Sequence, residues 1–468
     1  MLHPDRFFDP EPAVRDIART LYGQVKDLPL VCPHGHVDPT LFSQNRPFPD
    51  PAQLILIPDH YIFRMLYSQG IPLEELGVPT ADGSAVETDS RKLWRQFASH
   101  WHLFAGTPTG IWLKHEFGVV FGLTQPFGAK TADLYYDTIA EKLASPEFLP
   151  RALFDRFNIE VLSTTDSATD SLEAHKIIRD SDWNGRIIPC FRPDAITNPR
   201  RSDWKPEIRK LAEVSGIDTG NFAGYLRAIE NRREFFRSMG ATSTDHAVVS
   251  PWTHRLSESD AKTLYNRMLT AQRTVDENDA AAFEAHMLME MARMSVEDGM
   301  VMQLHAGSLR NHNEAIFKKF GLDKGGDIPV AVEFTRNLQE LLNSYGNNSA
   351  LTLIVFTLDE TAYSRELAPL AGHYPAMKLG PAWWFHDSVE GMTRYRQQVT
   401  ETAGFYNTVG FNDDTRAFLS IPARHDLSRR IDCNMLARLV ARHMLEVEEA
   451  VPLAKALAHD LAKEAYKL

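Results

Sequence analysis

Short apolar runs that end in polar or ionisable residues recur along this chain, and longer helical stretches separate them. This alternation is typical of repeated strand–helix units rather than of a meander of antiparallel strands. Eight runs are expected as strands: 30–32, 160–163, 186–191, 241–245, 300–304, 351–356, 376–379 and 408–411. In a (β/α)8 barrel the active site is built where the strands end. We therefore predict an α/β protein with a TIM-type barrel.

The segment between the first two predicted strands is too long for one helix. Apolar residues at roughly 3.6 spacing predict helices over 59–69 and 91–104, within a helical elaboration at about 45–150. Residues 434–468 predict a C-terminal helical segment interrupted at Pro452. Composition fits either one elaborated barrel or two to three smaller domains. The strand count favours a single barrel domain that spans residues 1–468.

Charge and cysteine content restrict the partners and the compartment. The formal net charge is -12, which argues against nucleic-acid and anionic-membrane partners and favours a small molecule. The three cysteines are widely separated, so neither a disulfide framework nor a CxxC motif is available. The first residues lack a leader pattern, and no apolar run is long enough to cross a bilayer. We expect an unprocessed cytoplasmic protein.

The chain contains two HxH pairs, and their contexts differ. With 18 histidines in 468 residues, chance supplies on the order of one such pair. His100 and His102 follow a helical pattern, in which residues i and i+2 point in different directions. His34 and His36 follow a predicted strand, where residues i and i+2 share a face, so both rings can reach one ion. A structural pair in a polar turn is an equally good interpretation of His34 and His36 taken alone.

The other candidates are ambiguous one by one. Asp414 follows the last predicted strand, where it suits either a metal or the N-terminus of a helix beginning at residue 415 or 416. His246 and His305 could be core histidines with satisfied ring nitrogens. Tyr61 could be a buried aromatic residue, and Arg192 could form an ion pair or hold a carboxylate. Their functional meaning depends on the whole set.

Taken together and in their order along the chain, these candidate residues resemble the site of the uronate (glucuronate) isomerase family, which belongs to the metal-dependent amidohydrolase superfamily. The resemblance runs almost end to end. It is carried by the blocks 34–39 (HGHVDP), 59–64 (DHYIFR), 164–166 (TTD), 191–194 (FRPD), 245–246 (DH), 303–307 (QLHAG), 383–385 (WWF) and 414–416 (DTR). Two departures stand out: many relatives have Asp and an aromatic residue where this chain has Cys32 and Pro33, and a His where it has Lys114. Asp413, next to Asp414, is the alternative carboxylate ligand.

The resemblance implies a distorted (β/α)8 barrel with a helical insertion after the first strand. It also implies aldose–ketose isomerisation of hexuronates, D-glucuronate to D-fructuronate and D-galacturonate to D-tagaturonate, without a nucleotide cofactor. His34, His36 and Asp414 would hold a divalent ion, with zinc expected. Assembly into a homo-oligomer is a further expectation, with no fixed number of subunits.

The implied reaction moves a proton between C2 and C1 through a cis-enediol, which requires one group that removes and returns the proton. Tyr61 matches the family position with this role, and nearby cations such as Arg64, Arg416 or the metal would have to lower its pKa. Asp414 and His34 would assist opening of the sugar ring. The substrate would contact the remaining candidates: His60, Arg192, Arg416, His305, His246 and Trp384.

The alternative prediction is a superfamily hydrolase that acts on a lactone, an amide or a phosphoester, because a histidine–aspartate metal site can also activate water. The sequence offers no strong candidate for a second-metal bridging lysine or carboxylate after the fourth predicted strand. The pair Arg192 and Arg416 suits a carboxylated sugar. Both observations favour the isomerase.

Overall fold

A computed structural model of the chain describes residues 2–270 and 275–468. Its strands, in chain order, are β1 Leu30–Cys32, β2 Ile159–Ser163, β3 Asp166–Ser167, β4 Ile187–Ile188, β5 Phe191–Arg192, β6 Ser243–Val248, β7 Val301–Ala306, β8 Ser308–Leu309, β9 Ile328–Pro329, β10 Leu353–Thr357 and β11 Met377–Leu379. Apart from the antiparallel β8–β9 pair, the pairing is parallel, in the orders β1-β2-β4 and β11-β10-β7-β6-β5-β3.

The two parallel sheets are parts of one distorted barrel wall. The chain breaks its second strand position into β2 and β3 and its third into β4 and β5, and the two halves pair in different sheets. The predicted run 186–191 is therefore two short strands rather than one. Pro189 lies between them, and its lack of an N–H group explains the interruption.

The eighth predicted strand, 408–411, is not a strand in the described part of the chain. Thr408 forms an isolated parallel bridge with Leu379, and Gly410 has a left-handed backbone with φ of 72°. Beyond it, the His36 N–H donates to the carbonyl of Thr415 at 2.9 Å. Two hydrogen bonds at Leu379 and one at His36, rather than continuous ladders, thus join the last barrel position to its neighbours, so the barrel is distorted and not closed by strands.

Helices surround this wall. The α-helices are Pro12–Val25, Thr40–Gln44, His60–Tyr67, Ser90–Ser99, Pro108–His115, Ala132–Leu143, Pro150–Arg156, Glu173–Arg179, Asp194–Thr197, Trp204–Ser215, Phe222–Ser238, Glu258–Thr270, Glu277–Asp298, Glu314–Phe320, Gln339–Tyr345, Ala368–Ala371, Val389–Ala403, Ile421–Ala441, Val447–Lys455 and Leu461–Ala465. Shorter 3-10 turns are Leu73–Leu76, Trp101–Phe104, Ala129–Thr131, Pro146–Phe148, Trp384–His386 and Phe418–Ser420, and π-helical turns are Ala52–Leu56, Glu116–Val120, Tyr363–Leu367 and Ala456–Asp460. Among residues 2–270 and 275–468, no helix has the length and apolar character needed to cross a bilayer.

The C-terminal helices differ from the prediction in where they break. Pro452 lies inside the Val447–Lys455 helix, whereas the interruption falls at 442–446, where His443 has φ of 55°. The preceding helix, Ile421–Ala441, packs against Pro12–Val25 through the buried side chains of Cys433, Leu436 and Ala437. This long helix also carries three buried arginines, Arg424, Arg429 and Arg430.

Candidate active site

The candidate site is a cavity of about 360 Å³ at the carboxyl ends of the barrel strands. A volume of this size is ordinary for small-ligand sites. The cavity is lined by nearly all the residues that the sequence singled out: His34, His36, His60, Tyr61, Arg192, His305, Trp384, Asp414 and Arg416. Residues separated by almost four hundred positions thus meet in one place.

His34 and His36 follow β1 and face Asp414, as the strand periodicity predicts. The distances from Asp414 Oδ1 are 3.5 Å to His34 Nε2 and 3.2 Å to His36 Nε2. Asp414 adopts a left-handed backbone with φ of 36°, and no helix begins at residue 415 or 416, where 3-10 turn Phe418–Ser420 follows instead. The helix-capping alternative for Asp414 is therefore wrong.

The neighbouring carboxylate, Asp413, points elsewhere. Its Oδ2 lies 3.1 Å from His425 Nε2, and Cys32 Sγ lies 3.7 Å from the same nitrogen. All three side chains are buried and form a second compact group behind β1. Asp414, rather than Asp413, is the carboxylate that faces the HxH pair.

The donor set around Asp414 fits a divalent cation. Donor atoms that share one zinc ion at about 2.0–2.2 Å lie roughly 3 Å apart, which is close to the separations between Asp414 and the two histidines. Around Asp414, the residues whose donor atoms all lie within 4.8 Å of one another are His34, His305 and Asp414, whereas His36 meets Asp414 without being part of this group. Burial lowers the pKa of His34 to about 4, so the ring is neutral, the form that binds metals. Residues able to hold a metal ion are therefore present.

His305 is oriented by a chain of charged side chains. Its Nδ1 lies 2.7 Å from Asp245 Oδ1, and Asp245 Oδ2 lies 3.2 Å from Arg192 Nη1. Burial opposes ionisation of Asp245, but Arg192 and His305 outweigh it and hold the pKa of this carboxyl well below its usual range. His305 Nε2 is buried and has no hydrogen-bond partner among the described residues. That nitrogen is free to bind a ligand or a metal.

Aromatic packing fixes the other face of His305. Its ring stacks on Phe356 at a centroid distance of 4.0 Å and meets Trp383 edge-on at 4.8 Å. A Cβ at Gly380 would lie 2.3 Å from Phe356 ring atoms. A side chain at Gly380 would therefore displace the ring on which His305 rests.

His246 is not brought to the cavity, contrary to the prediction that it contacts substrate. Successive residues of β6 alternate between faces, and Asp245 and Ala247 line the cavity. His246 faces the other way, with Nε2 3.0 Å from Thr244 Oγ1. The sequence pattern predicted His246 as a substrate contact and did not predict Asp245. Strand periodicity places the two side chains on opposite faces, so it would have indicated Asp245 once the face of β6 that lines the cavity was known.

His60 and Tyr61 enter the cavity from the first turn of the His60–Tyr67 helix. Asp59 caps this helix by accepting a hydrogen bond from the Tyr61 N–H at 2.8 Å. The rings of His60 and Tyr61 stack at 4.6 Å. Burial and Arg416 lower the pKa of His60 to about 3, and its two ring nitrogens have no partner in the described part of the chain. His60 thus presents a neutral imidazole for hydrogen bonding.

The surroundings of Tyr61 differ from the expectation. Burial raises the pKa of Tyr61 well above its usual value, and the cation that most opposes this rise is Arg424. Arg64 lies 5.9 Å from the centre of the Tyr61 ring. Arg64 and Arg416, the cations expected from the sequence, are therefore not the main ones acting on this phenol.

A loop covers one side of the cavity. It follows the Glu314–Phe320 helix in the segment that connects β8 to β9, and it contributes Asp323, Gly325 and Asp327 to the lining. Asp323 Oδ2 lies 3.4 Å from Arg416 Nη2, and Asp327 Oδ2 accepts from Arg310 Nη1 at 2.9 Å. Nothing in the sequence indicated that Asp323 would meet Arg416, because the contact depends on how the loop folds over the barrel.

The family model for glucuronate isomerase matches residues 12–466. The chain belongs to the glucuronate isomerase family. A uronate isomerase of Mesorhizobium japonicum is 56% identical over 465 residues, which cover 99% of each chain. The crystal structure of glucuronate isomerase from Caulobacter crescentus matches with a TM-score of 0.98 and 52% identity, covering 100% of this chain and 97% of that one.

Among other solved glucuronate isomerase family members, uronate isomerase from Thermotoga maritima matches with a TM-score of 0.93 and 27% identity, covering 100% of this chain and 99% of that one. These comparisons confirm the predicted family and the distorted TIM-type fold. They identify the chain as an isomerase and do not favour the hydrolase alternative.

Proposed function

We propose that this member of the glucuronate isomerase family interconverts the aldose and ketose forms of hexuronates, D-glucuronate with D-fructuronate and D-galacturonate with D-tagaturonate. The observation that carries the proposal is the cavity itself, which joins the half-buried Tyr61, the His34–His36–Asp414 group, and the arginines Arg192 and Arg416. The arginines suit the carboxylate of a sugar acid. The substrate is a small molecule.

The proton transfer is assigned to Tyr61. The C2–H bond breaks as the phenolate takes the proton, the cis-enediol forms, and the same phenol returns the proton to C1. O1 gains a proton and becomes a hydroxyl, while O2 loses one and becomes the ketone. A single group on one face of the enediol is sufficient, provided that it lies within hydrogen-bond reach of both carbons.

The remaining cavity residues bind and orient the sugar. Arg416 faces the substrate carboxylate, and Arg192 faces carboxylate or hydroxyl oxygens while held by Asp194 and Asp245. His60, His305 and Trp384 have buried ring nitrogens without partners among the described residues, which suits hydrogen bonding to hydroxyl groups.

His34, His36 and Asp414 are proposed to hold a divalent ion, zinc in preference to others, and the ion would polarise a substrate oxygen when bound. Asp414 and His34 are also proposed to move protons during ring opening, when the anomeric hydroxyl loses a proton and the ring oxygen gains one. Asp414 is ionised, the form that binds a cation: burial opposes this charge, but His34 and His36 hold the pKa of Asp414 well below its usual range.

The deciding experiment is proton NMR of zinc-loaded protein with D-glucuronate, and separately with D-galacturonate, in D₂O. We expect the corresponding ketose to accumulate, with deuterium entering at the exchanging carbon to the extent that Tyr61 is accessible to solvent. Formation of neither ketose, together with hydrolysis of a lactone or an amide, would overturn the proposal in favour of the hydrolase.

Several broader features belong to the same proposal. We propose that residues 1–468 form one domain, with the helical elaboration at about 45–150 and the C-terminal segment at about 434–468 as parts of it. We also propose a cytoplasmic protein that assembles into a homo-oligomer and takes no nucleotide cofactor, nucleic acid or membrane as a partner. Light scattering of the purified chain tests the assembly.

A further inference from the structure

Arg424 is a buried cation next to Tyr61, and the proposed proton transfer gives it no role. Its side chain is 2% exposed. The guanidinium carbon lies 5.6 Å from the centre of the Tyr61 ring and only 3.6 Å from that of Trp112. Trp112 in turn meets the Tyr61 ring edge-on at 5.7 Å. The guanidinium, the indole and the phenol therefore pack as one unit beside the cavity.

Three anchors hold the guanidinium in this position. Its Nη1 donates to Asp387 Oδ2 and lies 3.3 Å from the Asp413 carbonyl, while Nε donates to Ser420 Oγ at 3.1 Å. The anchors come from separate segments of the chain, so the cation can move little relative to Tyr61. A planar fork can satisfy these partners together, whereas a lysine ammonium would satisfy only some of them.

Tyr61 is otherwise surrounded mostly by groups that disfavour a phenolate. Burial is the largest, and Asp387, Asp414 and Asp59 add negative charge on several sides. The charged and titratable groups facing the ring from its own helix and from the elements packed on it are Asp59, His60, Arg64, Asp387, Asp414 and Arg424. Of these, Arg424 gives the strongest opposing effect on the pKa of Tyr61.

We propose that Arg424 is a positioning residue for the isomerisation: its fixed positive charge favours the phenolate form of Tyr61, and its stacking on Trp112 holds the phenol against the cavity. The inference rests on the proposed function, because it matters only if Tyr61 carries the proton. Asp387 contributes indirectly, because its carboxylate orients the Arg424 guanidinium.

The test compares Arg424→Met, which removes the charge and keeps much of the volume, with Arg424→Lys, which keeps the charge. For Arg424→Met we expect kcat to fall about tenfold to a hundredfold while KM changes by less than about twofold, because the substrate does not touch Arg424. The alkaline-rising limb of the kcat/KM profile should move to higher pH by about one unit, since loss of a cation disfavours the phenolate. Arg424→Lys should recover part of both effects.

A matched control lies on the same helix. Arg430 is also buried, also stacks on an aromatic ring, Tyr22 at 4.0 Å, and also pairs with a carboxylate, Asp426 at 3.1 Å. Arg430→Met should therefore lower stability without moving the pH profile or the ratio of kcat to KM. Equal kinetic effects at Arg424 and Arg430 would overturn the proposal, because they would indicate a general structural role.

A measurement that does not use activity separates this inference from the proposed function. The ring-carbon NMR signal of Tyr61, assigned by its absence in Tyr61→Phe, should titrate at higher pH in Arg424→Met than in the wild-type chain. Failure of the wild-type chain to form a ketose would remove the proposed function while this titration still decides the role of Arg424. An unchanged Tyr61 titration would overturn the inference. Should Arg424→Met not fold, Arg424→Lys serves in the same measurement, with a smaller shift in the same direction.

Discussion

Two buried polar clusters of this molecule are built on opposite principles. Arg396 is fully occupied: its Nε and Nη2 donate to Asp432 at 2.6 and 2.9 Å, and Nη1 and Nη2 also reach Thr408 Oγ1 and the Gly410 carbonyl. In the cavity, ring nitrogens of His34, His60, His305 and Trp384 are buried without partners among the described residues. The Arg396 cluster, in which every guanidinium nitrogen has a partner, joins the last barrel position to the Ile421–Ala441 helix. The ring nitrogens in the cavity are instead available to bind a ligand.

The difference separates polar residues that stabilise the fold from polar residues that are available for binding and catalysis. Leaving a buried polar atom unpaired costs free energy, so such atoms persist where a bound molecule can complete them. The comparison predicts that changes in the cavity affect catalysis and changes at Arg396 affect folding.

The largest effect is expected from Tyr61→Phe. Loss of the proposed proton carrier should lower kcat by about 10²- to 10⁴-fold, while the urea midpoint and the bound metal stay close to those of the wild-type chain. Steady-state kinetics, urea unfolding and metal analysis of the same preparation test this. Substantial remaining activity would remove Tyr61 from the mechanism.

The converse change is Arg396→Met, which leaves Asp432 buried without its guanidinium. Loss of one partner of a buried ion pair costs about 3–5 kcal/mol of folding stability. We expect urea unfolding to show this loss, with kcat per folded molecule unchanged. A large fall in kcat without loss of stability would show that the Arg396 cluster also acts on the site and would remove the contrast between the two clusters.

Glu116 offers a pH-dependent test close to the cavity. Burial, reinforced by Asp59, raises the pKa of Glu116 from 4.5 to about 8. The unfolded chain therefore ionises first as pH rises, and native stability should fall between about pH 4.5 and 8. Glu116→Gln lacks this ionisation, so its urea midpoint should exceed that of the wild type increasingly across this range. The exposed Glu75→Gln is the control, and an equal effect there would contradict the assignment.

The smallest effect is expected from Asp323→Asn. The Asp323 carboxylate lies 3.4 Å from Arg416, where the substrate carboxylate is proposed to bind, so the two compete. Removing an exposed or half-exposed ion pair changes free energy by about 0.2–1 kcal/mol, and KM should fall by up to about fivefold. Glu314→Gln, which removes an equal charge from the same β8–β9 segment, should leave KM unchanged. A rise in KM for Asp323→Asn would instead make Asp323 a substrate contact.

The sequence by itself determined the features that depend on local periodicity and on family resemblance. A strand places residues i and i+2 on one face, whereas a helix separates them, so periodicity favoured His34 with His36 over His100 with His102 as a ligand pair. Only the resemblance to the family then chose a metal site over a structural pair for His34 and His36. The blocks around Tyr61, Arg192 and Asp414 indicated the family over nearly the whole chain.

Tertiary structure decided what depends on contacts between distant segments. The sequence could not show that β6 turns Asp245 rather than His246 toward the cavity, because alternation fixes the spacing of residues on a strand and not which face meets the interior. The loop contact of Asp323 with Arg416 and the packing of Arg424 against Tyr61 likewise join segments far apart in the chain. Charge interactions of this kind depend on distance and burial, and both are set only when the chain has folded.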